Sequence, residues 1–334
     1  MAALKVLFIG GTGIISSACS RRAVAVGIDL TVLNRGTTTT RVLPEGVRVV
    51  QADVRDPASV QAALGTETFD VVADFIAFTP QHVQTDIDLF AGRTGQYVFI
   101  SSASAYQKPV GRLPIVESTP LRNPHWQYSR DKIACEDLLV GAYRSRGFPA
   151  TIVRPSHTYD ETLIPLMGGW TDIDRMRRGQ PVVVQGDGTS LWVMTHHDDF
   201  AKAFVGLLGH PQAIGDSFHI TSDEWLTWNQ IYHLMAAAAG VEPVLLHVAS
   251  DTIAELDPEL GASLLGDRAH SVVFDNSKVK ALVPDYVAAI PFATGARQVV
   301  DWYDADPARR VVDANLNATF DKLVAASMFG TLPA

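Results

Sequence analysis

Six short apolar runs rich in β-branched residues, Val6–Ile9, Leu30–Leu33, Val47–Val50, Val71–Ile76, Tyr97–Ile100 and Thr151–Val153, recur through the first half of the chain. The segments between them are long enough for helical crossovers. Runs that stay apolar instead of alternating belong to strands buried on both faces, and strands joined by helices lie parallel. The expected fold class is therefore α/β, a Rossmann-type, doubly wound parallel sheet with a smaller, mixed C-terminal domain for substrate. The rhythm weakens after Arg154, where Pro and Trp become more frequent and an irregular stretch runs from Asp251 to Val272. The expected division places residues 1–155 in the first domain. Residues 196–222 return to it, through a helix over Asp198–Leu208 and a strand over Phe218–Thr221. Residues 156–195 and 223–334 form the second domain.

The first strand runs into Gly10-Gly11-Thr12-Gly13-Ile14-Ile15-Ser16, and a helix-like stretch follows. A tight glycine turn at the first strand-to-helix junction lets backbone N–H groups and a helix N-terminus approach a pyrophosphate, which predicts a dinucleotide cofactor. Ser16 stands where a third small residue is usual, so a slightly relaxed turn is expected there. The second strand ends in Asn34-Arg35, where an NAD-selective site carries a carboxylate. Asn34 does not repel a phosphate and Arg35 can pair with one. The cofactor is thus NAD or NADP, with a modest lean to NADP. Asp53, at the end of the third strand, either accepts from an adenine amino group or caps the helix after Arg55.

The fifth strand ends in Ser101-Ser102, and Tyr128 and Lys132 open a later helix at i, i+4 spacing, on one face. A phenol titrates near 10, too high for a base at neutral pH, and a neighbouring ammonium is expected to lower it. In that scheme Tyr128 exchanges a proton with a substrate hydroxyl, Lys132 assists it and holds the nicotinamide ribose, and Ser102 fixes the substrate oxygen. The expected cofactor contacts are Gly10, Gly11, Thr12, Gly13, Ile14, Ile15, Asn34, Arg35, Asp53, Val54, Ile76, Ala77, Ser101, Tyr128, Lys132, Pro155 and Ser156. Phe78, Ser104, Tyr106, His157 and Trp192 are the expected substrate contacts.

The combination resembles the extended branch of the short-chain dehydrogenase/reductase superfamily, the NAD-dependent epimerase/dehydratase proteins, over almost the whole chain. Arg154-Pro155-Ser156-His157-Thr158-Tyr159, Gly186-Asp187-Gly188, His197-Asp198-Asp199-Phe200-Ala201 and Asp275-Asn276-Ser277-Lys278 resemble later motifs of that branch. The resemblance implies an NAD(P)-dependent epimerase or oxidoreductase acting on a hydroxyl or keto carbon of a sugar derivative, with Ser102, Tyr128 and Lys132 at the family's catalytic positions. It also implies a homodimer through the helices after the fourth and fifth strands. Two departures narrow the reaction. Trp192 stands where relatives that bind nucleotide sugars carry an arginine, so a sugar phosphate or nucleoside is as open as a nucleotide sugar, with Arg175, Arg177 or Arg178 as anion partners. Ala103 and Ser104 replace the Asp-Glu pair of sugar dehydratases, which disfavours dehydration.

The 36 acidic residues outnumber the 27 basic ones, giving a net charge of −9, which argues against nucleic acid as the main partner. Only Cys19 and Cys135 are present, so neither a disulfide framework nor a cysteine-based zinc site is expected. Adjacent His196 and His197 are expected to point to opposite faces of a strand, so no metal site is predicted. No apolar run is long enough to span a membrane, and a cytoplasmic protein is expected. The competing reading is a non-catalytic nicotinamide-binding sensor or an RNA-associated atypical family member.

Overall fold

The computed structural model describes residues 3–37 and 40–329. Seven strands form one parallel sheet: β1 (Lys5–Ile9), β2 (Asp29–Asn34), β3 (Arg48–Gln51), β4 (Phe69–Asp74), β5 (Thr94–Ile100), β6 (Ala150–Pro155) and a last strand, Ser217–Ile220. The order is β3-β2-β1-β4-β5-β6 with Ser217–Ile220 outermost. Helices α1 (Ile14–Ala25), α2 (Pro57–Leu64), α3 (Pro80–Phe90) and α4 (Gln127–Arg146) supply crossovers. The apolar runs are explained by burial on both faces. Leu7, Ile9, Val72, Tyr97 and Phe99 meet Val83, Ile87, Cys135 and Leu139 of α3 and α4. Val6, Phe8, Val71 and Val98 meet α1 and the helix His197–Leu207 on the other face. The chain leaves β1 toward β2 on one side and returns to β4 on the other, which opens a crevice at the strand C-terminal ends.

The strands match the expected runs with small shifts. β4 stops at Asp74, not Ile76, because the Asp74 carboxylate accepts the backbone N–H groups of Ile76 and Ala77 (2.9 Å for Ala77) and turns the chain out of the ladder.

Beyond β6, three two-stranded pairs, His157–Tyr159 with Met194–His196, Leu191–Trp192 with Leu226–Thr227, and Pro181–Gln185 with Val244–Val248, surround a core that includes Trp170, Trp192, Trp228 and Phe292. The stretch expected to be irregular from Asp251 is largely helical: Ser250–Leu256, Pro258–Ser263 and a wide π turn at Leu264–Arg268. Asp257 ends the first piece and caps the second by accepting from Leu260 N–H at 3.0 Å, and Pro258 takes the first helical position. Such short capped helices carry no long period, which is why the sequence looked broken there. Among the described residues no helix is long and apolar enough to cross a membrane.

Candidate active site

Two cavities open along the strand ends. The first, about 540 Å³, is lined by the glycine turn (Gly10, Thr12, Gly13), by Leu33–Thr37 and Arg41 after β2, by Ala52–Arg55 after β3, and by Ile76, Phe78 and His82 after β4. Gly10 has φ +83°, and a Cβ there would lie 2.7 Å from Ile76 Cγ2. Only glycine fits that close backbone approach. Ser16 is no loosened turn: it is fully buried and its hydroxyl accepts the Gly13 N–H at 2.8 Å. Asn34 Oδ1 accepts from Gly36 N–H at 3.0 Å, so its side chain shapes the turn. Arg41 is held by Asp160 at 2.6 Å, and Arg55 donates to the Ile76 carbonyl. Among the described residues the Arg35 guanidinium has no ion-pair partner. Asp53 does not cap α2. It accepts from Arg55 N–H at 2.9 Å, while Asp56 caps the helix by accepting from Ala58 N–H at 3.1 Å.

Gly10, Thr12, Gly13, Asn34, Arg35, Asp53, Val54 and Ile76, of the residues expected at the cofactor, border this one cavity, and Phe78, expected at the substrate, borders it too. Gly11, Ile14, Ile15, Ala77, Ser101 and Lys132 do not line it. A Cβ on Gly11 would clash with Val32 at 2.7 Å, so Gly11 serves packing. Ser101 is buried and donates to Glu136.

The second cavity, about 300 Å³, collects Ser102, Ser104, Trp126, Tyr128, Pro155–Thr158, Trp192, Asp267, Arg268 and Phe274. Ser102 Oγ lies 2.9 Å from Ser104 Oγ, which also accepts from Ser129 at 2.7 Å. Burial pushes the Tyr128 phenol up to about 12, and the hydrogen bond from Ser102 pulls the other way. Lys132 does not lower it as expected. Its Nζ donates to the carbonyls of Ala77 and Ile100, both at 2.7 Å, and stands 5.8 Å from the Tyr128 ring centre. Burial brings Lys132 itself down to about 8. Lys132 is therefore wedged between the wall of the first cavity and the strand end that carries Ser102.

Trp192 Nε1 donates to His157 Nδ1 at 3.2 Å, leaving His157 with its proton on Nε2, and burial lowers His157 to about 3. His157 is a neutral donor at every physiological pH. Tyr106, expected at the substrate, is fully buried behind the site, accepting from Arg154 at 3.1 Å and lying 3.0 Å from His219 Nδ1. Arg154 also pairs with the buried Glu136. The three arginines proposed for an anion are spent elsewhere: Arg175 on Asp321, Arg177 on Asp304, Arg178 on Asp174. Arg268 was missed. It is half-buried, stands over the Trp228 ring at 5.7 Å, and has no ion-pair partner among the described residues. The one available signal was an Asp-Arg step shortly before Asp275-Asn276-Ser277-Lys278. Its neighbour Asp267 pairs with the buried Lys108 at 3.2 Å.

His196 and His197 do not point apart. The strand ends between them, their ring centres are 4.8 Å apart, and with Asp198 they bring three potential ligand atoms within 4.8 Å. All four ring nitrogens already face protein partners: Asp198 N–H and Gln298 for His196, Ile14 O and Arg21 for His197.

A model of the NAD-dependent epimerase/dehydratase family matches residues 6–221. A 2'-dehydrokanamycin reductase of Streptomyces kanamyceticus is 27% identical over 289 residues, 85% of this chain and 80% of its own. A chloroplast stem-loop binding protein of 41 kDa from Arabidopsis thaliana is 27% identical over 256 residues, 73% of this chain and 65% of its own. Among solved structures, a dTDP-glucose 4,6-dehydratase from Bacillus anthracis in complex with NAD superposes with a TM-score of 0.72 at 18% identity, covering 92% of this chain and 98% of that one.

Proposed function

The chain belongs to the NAD-dependent epimerase/dehydratase family, and from that premise we propose that it is an NAD(P)-dependent enzyme that interconverts a hydroxyl and a keto carbon on a sugar or sugar derivative. The observation that carries this reading is the placing of the Ser102 and Tyr128 hydroxyls on one cavity wall, with Lys132 anchored between that wall and the glycine-turn cavity. The glycine cradle, closed to any Cβ at Gly10, fits a pyrophosphate, with Gly10, Thr12, Gly13, Val54 and Ile76 as the holding residues. When bound, the nicotinamide supplies the two-electron acceptor or donor.

Ser102 holds the substrate oxygen, and Tyr128 moves the proton at that oxygen. A phenol pushed up to about 12 is protonated at neutral pH and suited to donate to a carbonyl oxygen as it gains charge. The same donation serves a reductase and the reducing half of an epimerase, and the relative named as a reductase supports the first. Dehydration is disfavoured because Ala103 and Ser104 offer no acid-base pair, and the cavity's Asp267 is tied to Lys108. Arg268 and His157 hold the remainder of the substrate, the first as a cation for a phosphate, carboxylate or ring oxygen, the second as a neutral donor. Arg35, with no ion-pair partner among the described residues, suits the extra phosphate of NADP. A homodimer through α3 and α4 belongs to the same proposal, and its mass in solution tests it.

Tyr128→Phe is expected to lower turnover by about a thousandfold or more while nicotinamide binding stays within about twofold. Full turnover in that variant sinks the proposal. The relative named as a stem-loop binding protein supports one other reading, an RNA-associated member that uses the fold without redox chemistry. In that case hairpin RNA binds at its usual strength in Tyr128→Phe, and no carbohydrate ketone oxidises the reduced cofactor.

A further inference from the structure

Beneath the first cavity lies a group of buried side chains that the proposed chemistry does not use. Asp74, at the end of β4, and Asp86, on α3, are both fully buried. Neither is ion-paired among the described residues. Asp74 Oδ1 accepts the N–H groups of Ile76 and Ala77, and Asp86 Oδ2 accepts the Tyr97 hydroxyl at 2.6 Å. That leaves one oxygen on each, Asp74 Oδ2 and Asp86 Oδ1, buried and without a partner that carries a hydrogen. Asp74 is close enough for its charge to act on Asp86. Two neighbouring carboxylates, out of water and without an ion-pair partner, resist ionising together, and two orphaned acceptors are both satisfied by one hydrogen added between them.

We propose that Asp74 and Asp86 share one proton, carried by Asp86 Oδ1 and donated to Asp74 Oδ2, and that this bond positions the Phe75–Phe78 loop and, through it, Lys132. The chain of contacts is continuous. Tyr97 donates to Asp86, Asp86 to Asp74, and Asp74 accepts from Ala77 N–H, whose own carbonyl accepts from Lys132 Nζ at 2.7 Å. Ile76 and Phe78 of the same loop line the first cavity, and Ile76 Cγ2 lies against the backbone of Gly10. Other titratable or charged groups face the pair from each neighbouring element: Arg55 before α2, His82 on α3, Tyr97 on β5, and Lys132 and Cys135 on α4. Burial, followed by the charge of Asp74, holds the Asp86 carboxyl well above the usual carboxylate range, consistent with a retained proton. That the loop serves a nicotinamide cofactor rests on the reading above. The shared proton does not.

Infrared difference spectra of the full chain test the proton without any activity. With Asp172→Asn removing another buried carboxyl that burial raises to about 7, the otherwise wild-type chain is expected to show a protonated-carboxyl stretch at neutral pH that shifts in heavy water and is absent once Asp86→Asn or Asp74→Asn is added. An Asp172→Asn chain lacking that band, or a band that survives both additions, overturns the shared proton. Binding of NAD, measured directly, tests the positioning. Asp86→Ala, which leaves Asp74 without a donor, is expected to bind about tenfold more weakly, and Asp86→Asn, whose amide donates in the proton's place, is expected to restore affinity to within about twofold. Unchanged binding in Asp86→Ala overturns the positioning role. Should Asp86→Ala fail to fold, weakened binding in a folded Asp86→Asn overturns that role instead, and NAD binding to none of these proteins, wild type included, counts against the cofactor reading alone.

Discussion

The glycine-turn cavity draws its lining from residues 10–82, the ends of four successive strands, whereas the Tyr128 cavity draws its lining from residues 102–274, through segments with long stretches of chain between them. In this sheet β1 to β4 stand as four neighbours in the order β3-β2-β1-β4: the chain steps outward from β1 to β3 and then crosses back over two strands to set β4 on the other side of β1. Their C-terminal ends therefore share one contiguous edge. Beyond β6 that contiguity stops. Trp192 comes from a two-residue strand, Arg268 from a π turn, and Phe274 from an extended segment that bridges to Ile115. A cavity of the first kind tolerates little variation in its turn, while a cavity of the second kind changes with each segment that reaches it.

If the two cavities are built so differently, substitutions in each should act on separate readouts. Arg268→Ala is expected to raise KM for the sugar ketone by about tenfold to a hundredfold and leave nicotinamide affinity unchanged, because a half-buried guanidinium in a cavity wall is replaced by nothing that donates. Steady-state kinetics with each reactant varied checks it, and an equal loss of cofactor affinity breaks the separation. Gly10→Ala is the converse. With φ +83° and a Cβ 2.7 Å from Ile76, it should weaken cofactor binding about tenfold and cost about 1–3 kcal/mol of stability, read by titration and thermal melting. Arg35→Ala sharpens the comparison within the first cavity. It should reduce NADP affinity by roughly tenfold and leave NAD affinity within about twofold.

The smallest effect belongs to Asp172, on the helix Trp170–Arg177, whose carboxyl is raised by burial to about 7. An unfolded aspartate titrates near 4, so at intermediate pH the folded chain holds a proton that the unfolded chain has lost. Its stabilising contribution is complete below about pH 4 and disappears as pH rises through about 7. Asp172→Asn should flatten the fall of Tm between about pH 5 and 8 by a few degrees, with both cavities unaffected. An unaltered slope in that variant places the titrating group elsewhere.

Local features were the legible ones. The glycine turn followed β1 directly, and the helix period put Tyr128 and Lys132 on one face of α4. Ser16 was also visible as a small residue, although its hydroxyl's bond to Gly13 was not. Errors arose where a side chain's direction depended on a break in regular structure. Tyr106 stands close to Ser102 in sequence, yet the short 3₁₀ turn Ala103–Ala105 carries it behind the wall to Arg154 and His219. His196 and His197 converge because a helix begins between them.

The amino-acid sequence by itself determined the sheet, its crossovers, the glycine turn and the spacing of Tyr128 and Lys132, since each follows from backbone period and steric limits within a few residues. Tertiary structure alone decided which groups carry charge and where they point: Lys132 caught between two carbonyls, Tyr128 kept protonated, Arg268 left facing the cavity while Arg175, Arg177 and Arg178 were neutralised. Desolvation and ion pairing depend on everything that packs within a few ångströms of a group, and most of those neighbours come from distant parts of the chain.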